Sequence, residues 1–125
     1  MNDFYYRKLD VYNLSKQFVM QVYQLLRGYP EYERYALCDQ LRRAVISIPS
    51  NIAEGAGRMA LKERIHFYDI AYGSLTETLC QLEISRDLNY IDDVQFSSLE
   101  QTASRISMTL IALKKSIQDK INNNN

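Results

Sequence analysis

Apolar residues recur along this chain at intervals of three and four and almost never alternate with period two. That is the spacing of helices, not strands. The first segment spans about Asp10 to Arg27. Val11, Leu14, Phe18, Val22 and Leu25 form one stripe, and Tyr12, Val19, Tyr23 and Leu26 form a second beside it. A helix so broadly apolar packs on more than one neighbour. Asp10 is placed to cap its start, and Gly28 with Pro30 marks its end. The second segment opens near Glu33. Leu37, Leu41, Val45, Ile48, Ile52 and Ala56 keep one stripe, within roughly 100° of arc, straight through Pro49. A break at Pro49 would not require the phase to be kept. The expectation is one helix over about 33–56, kinked at a proline that cannot donate to the Val45 carbonyl, with the Ser47 hydroxyl able to satisfy nearby backbone. Gly55 and Gly57 then end it.

The third segment, about 61–88, carries Ile65, Tyr68, Tyr72, Leu75, Leu79 and Leu82. The fourth, about 93–121, carries Phe96, Leu99, Ala103, Ile106, Leu110, Leu113 and Ile117. This alternation of threes and fours belongs to helices packed at shallow angles. Asp92 or Asp93 caps the fourth helix, and the asparagine run at 122–125 is expected to fray. Four long helices with short connections predict a single all-α domain over 1–125, an antiparallel up-and-down four-helix bundle.

Composition narrows the chemistry. Fifteen Lys and Arg balance fifteen Asp and Glu, so no global field draws nucleic acid or anionic lipid, although a local basic patch is allowed. Weak self-repulsion also makes a lone soluble monomer less of a default. No run approaches eighteen apolar residues, and the start MNDFYYRKLD lacks a long apolar core. With only Cys38 and Cys80, and no CxxC, the expected compartment is the reducing cytoplasm. Both cysteines are expected to be buried small hydrophobes. The single histidine, His66, follows Glu63 in one Glu-x-x-His, and Glu54, Glu77 and Glu83 are further carboxylates. A bundle metal site needs that motif twice, so no metal, cofactor or catalytic residue is expected. GAGRMALKE has neither the spacing nor the preceding strand of a phosphate loop.

The second helix has a polar face made of Arg43, Ser47, Ser50, Asn51, Glu54 and Arg58. Glu54 and Arg58 stand in the favourable order for a helix ion pair. Ser, Asn and Gly are poor helix formers, and small side chains let another backbone approach. This face is therefore expected to bury against a partner. On the third helix, Ile70, Gly73, Glu77 and Ile84 lie off the core stripe, and a close helix contact would explain tolerating Gly73. A second class of partner is RNA: Arg42, Arg43, Arg58, Lys62 and Arg64 cluster in sequence, and Tyr29, Tyr32 and Tyr35 could stack on bases. Glu31, Glu33, Glu54 and Glu63 are interspersed among them.

The stretch QLRRAVISIPSNIAEGAGR, Gln40 to Arg58, resembles a family of small bacterial proteins encoded within intervening sequences of 23S ribosomal RNA genes, the S23 proteins. LDVYNLSKQFVMQVYQLLRGYP resembles that family's first helix, and FYDIAYGSLTETLCQLEISRDLNYI its third helix and following turn. The resemblance implies an up-and-down four-helix bundle that assembles as a homo-oligomeric ring, a pentamer, with no established enzymatic activity. It also implies kinship to a strongly basic, RNA-binding branch that assists reverse transcriptases of diversity-generating retroelements. Arg43, Ser47, Asn51, Glu54, Gly55 and Arg58 match the family's polar pattern, and Gly73, Ser74, Leu75 and Glu77 its GSLxE motif.

Overall fold

The computed structural model describes residues 4–124. Four helices carry the fold: α1 Asp10–Leu26, α2 Leu37–Ala56, α3 Leu61–Asp87 and α4 Asp93–Asn123. Each packs on the next, and α4 packs back on α1. The connections are short, so consecutive helices run antiparallel in an up-and-down four-helix bundle. No strand occurs among the described residues.

The predicted stripes point inward. Phe18, Val22, Leu41, Val45, Ile48, Ile52, Leu82, Ile106 and Leu110 are wholly removed from solvent. Each such side chain stabilises the fold by roughly 1.5–3 kcal/mol relative to exposure. On α1 the core line is Val11, Ser15, Phe18, Val22 and Leu26, with Leu14 and Leu25 only half-buried at its edges.

α2 runs unbroken through the buried Pro49 to Ala56, as the conserved phase of its stripe predicts. Its start differs from expectation. A 3-10 turn covers Glu31–Glu33, and Ala36, with φ −118° and ψ −101°, is not helical, so the α-helix begins at Leu37 and not near Glu33. Gly55 lies inside the helix; only Gly57 ends it. The Ser47 hydroxyl oxygen accepts from Asn51 Nδ2 and from the Ser74 hydroxyl.

Other termini show which local signals held. Asp92 caps α4 with a full capping box: its carboxylate accepts from the Gln95 backbone N–H at 2.7 Å, and the Gln95 side chain accepts from the Asp92 N–H at 2.9 Å. Asp10 is not a cap. Leu9 holds that position without a side-chain bond, and Asp10 begins the helix, where its charge still suits the dipole. α3 ends on Asn89 at φ 64°, the left-handed conformation asparagine tolerates, with the Tyr90 N–H returning to the Ser85 carbonyl. α4 stays helical through Asn123 with Asn124 as its C-cap, so the first two residues of the run expected to fray are helical, and Asn125 lies outside the described residues.

Candidate interaction surfaces

α2 and α3 meet along a seam of small and polar side chains. The Ser74 hydroxyl donates to Ser47 Oγ at 2.8 Å, and Asn51 Nδ2 donates to Ser47 Oγ at 2.9 Å and to the Ser47 carbonyl at 2.8 Å. Seven residues earlier on α2, Gln40 Oε1 accepts from Gln81 Nε2 at 3.4 Å, seven residues later on α3. The antiparallel register is therefore constant along the pair. At the other end of the seam a Cβ on Gly55 would stand 2.9 Å from both Phe67 Cβ and Tyr68 Cε1. Real Cβ atoms do not come that close, so this approach requires glycine. Ser47 and Asn51, read from the sequence as a surface for a partner, and Gly55, read as part of the helix end, are thus engaged within the chain. The small side chains on this face admit a close neighbour, and α3 of the same chain is one.

Glu54 and Arg58 form the expected ion pair at 2.6 Å, half-exposed and worth at most about 1 kcal/mol. The Arg58 guanidinium also lies 4.7 Å from the centre of the Phe67 ring, and its carbonyl accepts from Arg64 Nε at 2.7 Å. These contacts fasten the α2–α3 turn.

The outer side of α3 is different. His66, Ile70, Gly73, Glu77, Cys80 and Ile84 follow one another at four, three, four, three and four, and all are exposed. Ile70 keeps 39% of its surface and Ile84 45%. A Cβ on Gly73 would meet nothing within 4 Å, so no intrachain helix contact explains that glycine. Cys80 stands on this exposed side, contrary to its expected burial, while Cys38 is buried and its thiol is pushed up by desolvation.

The five basic candidates do not converge. Arg42 and Arg43 lie near the start of α2, and Arg58, Lys62 and Arg64 follow its end, about 24 Å away along the helix. Arg42 is bound to Asp39 at 2.6 Å, and Arg43 and Lys62 are exposed. Of the three tyrosines proposed for stacking, Tyr32 and Tyr35 are exposed but Tyr29 is buried, its ring 5.3 Å from that of Tyr90. The Tyr90 hydroxyl donates to Glu33 at 2.8 Å and is hydrogen-bonded to the Tyr32 hydroxyl at 3.1 Å. These bonds to Tyr32 and Glu33 hold the Tyr90 phenol in its protonated form well above its usual range.

Two features escaped the sequence reading. One is an open groove of about 550 Å³ between α1 and α2, where Val19, the largely exposed Met20, Ile46 and Pro49 meet Tyr6 and Tyr12. Met20 and Ile46 lie off the core stripes, and that was the available signal. The other is the buried polar set Ser15, Thr78, Ser85 and Thr102. Each bonds a carbonyl three or four residues back, which is how a hydroxyl passes as small and apolar inside a helix pair.

No group of three His, Cys, Asp or Glu side chains among the described residues could hold a metal ion. Among the described residues no helix is long and apolar enough to cross a membrane. What fold and surfaces define is a four-helix bundle whose polar motif is hydrogen-bonded along the α2–α3 seam. Residues 7–112 match the family model described as 23S rRNA-intervening sequence protein, and the chain belongs to that family. It is similar to a crystal structure described as a protein of unknown function from the S23 ribosomal protein family of Bacteroides thetaiotaomicron VPI-5482. The identity is 26% and the TM-score 0.75, over 84% of this chain and 98% of that one. No functionally curated protein matches the chain.

Proposed function

We propose that the protein is a non-enzymatic bundle that self-associates and acts as a structural or adaptor module. The observation that carries this reading is the outer side of α3. α3 leaves Ile70 and Ile84 exposed on either side of the open position at Gly73, away from its contacts with α2 and α4. A closed ring needs two different complementary patches on each subunit. The α1–α2 groove around Met20 and Ile46 supplies a second that shares no residue with the first. Glu77, without an ion pair among the described residues, is positioned to find a partner there. A pentamer is the expected closure.

Light scattering of the purified protein at micromolar concentration tests this directly. A multiple of the 14.6 kDa subunit mass is expected, and a monomer would end the proposal. Gly73→Leu fills an open position and should fold normally while dissociating the assembly. The alternative, an RNA or ribonucleoprotein accessory factor, has less behind it. The basic residues are split between the two ends of α2, and the zero net charge is unlike the basic retroelement branch.

A further inference from the structure

We infer that the cavity at the α1–α2 corner is a phosphate-binding site, with Arg27, Arg34 and Arg42 as its cationic wall. The cavity, about 420 Å³ and open to solvent, lies between the end of α1, the loop after it and the start of α2, with Glu31 lining it beside the arginines. Three guanidinium groups line one small space in a molecule of zero net charge. Guanidinium forks match phosphate oxygens two bonds at a time. Arg27 has no ion-pair partner among the described residues. Arg34 meets only Glu31, at 3.3 Å, through a carboxylate 86% exposed, which an incoming dianion can displace. Arg42 is oriented by Asp39 at 2.6 Å and by the Arg34 carbonyl at 2.8 Å, so its position is set before any ligand arrives.

One further observation points the same way. Ala36 gives α2 no side-chain cap, and the backbone N–H groups of Leu37, Cys38 and Asp39 have no acceptor among the described residues. They form the positive end of a twenty-residue helix. The volume accommodates a phosphate alone or one carried on a small molecule such as a mononucleotide.

One chain builds this cavity, so the inference does not depend on self-association. The test is an NMR titration of the whole protein with sodium phosphate, and separately with adenosine monophosphate, against sodium chloride at equal ionic strength. Saturable shifts of the Arg27–Arg42 amides with phosphate but not chloride are expected. Tighter binding of the nucleotide would assign the phosphate to a nucleoside carrier; equal binding would assign it to the free anion. Arg27→Ala should weaken binding about tenfold, the loss of one charge-assisted pair. Glu31→Gln should tighten it by freeing Arg34, and Arg105→Ala, outside the cavity, should leave it unchanged. All three positions are exposed, so the variants should fold. Shifts no larger than those from chloride, or an Arg27→Ala affinity within about twofold of the parent, would overturn the inference.

Discussion

α3 has two sides that use glycine and small residues in opposite ways. Toward α2 it meets Gly55 with Phe67 and Tyr68, and Ser47 with Ser74, in contacts too close for any larger residue at Gly55. Away from the bundle it presents Gly73 between Ile70 and Ile84, with open space where a side chain would go. The first glycine is required by the monomer. The second costs the isolated helix roughly 0.5–1 kcal/mol and gains nothing within the chain. A motif glycine therefore does not by itself mark an interface. What matters is whether the space beside it is already filled.

The core face of α2 sets the scale against which both sides are judged. Leu41→Ala and Ile52→Ala, each emptying a site with no exposure, should each cost about 2–5 kcal/mol in urea denaturation. Losses below about 1 kcal/mol for both would mean the wrong face has been placed inside. The glycine pair is the sharpest test of the comparison. Gly55→Ala should destabilise by about 1–3 kcal/mol, since the new methyl must displace Phe67 or the Tyr68 ring. Gly73→Ala should stabilise the dilute protein by about 0.5–1 kcal/mol. Equal signs would break the comparison.

Ser74→Ala removes the one hydroxyl that bridges the seam to Ser47, and should cost about 0.5–1.5 kcal/mol. A neutral result would show that packing alone sets the seam. The smallest effect at neutral pH is a titration. Burial raises the Tyr68 phenol above its usual 10.0, and burial also raises Tyr29. The unfolded chain then loses these protons first, so the native state holds more protons than the unfolded one. The stabilisation is complete below about pH 10 and declines as pH rises through the higher folded values. Urea melts from about pH 8 to 11 should be flat and then fall, and Tyr68→Phe should make the fall shallower.

Much of this architecture was written in local pattern. The three-and-four spacing determined four helices, and the unbroken phase from Leu37 to Ala56 carried α2 through Pro49. Asp92 with Gln95 determined the start of α4, because a capping box needs only its own four residues. The Glu54–Arg58 pair was legible for the same reason: both partners lie on one turn of one helix. Boundaries set by loop conformation were not legible. The start of α2 depends on the backbone at Ala36, which no stripe reports.

The candidate surfaces divided along the same line. Composition showed that Ser47, Asn51 and Gly55 need a close neighbour, but periodicity gives each helix a face without naming what covers it. Only tertiary packing decided that α3 covers this one, with Ser74 and Tyr68 delivered from more than ten residues away in sequence. Arg27 and Arg34 are likewise unremarkable along the chain, and Arg42 stands out there only beside Arg43, Arg58, Lys62 and Arg64. Arg27, Arg34 and Arg42 face one cavity because α2 turns back on α1 at that corner. Charges and small residues acquire meaning from neighbours in space. A hydrophobic repeat needs only its own helix to be read.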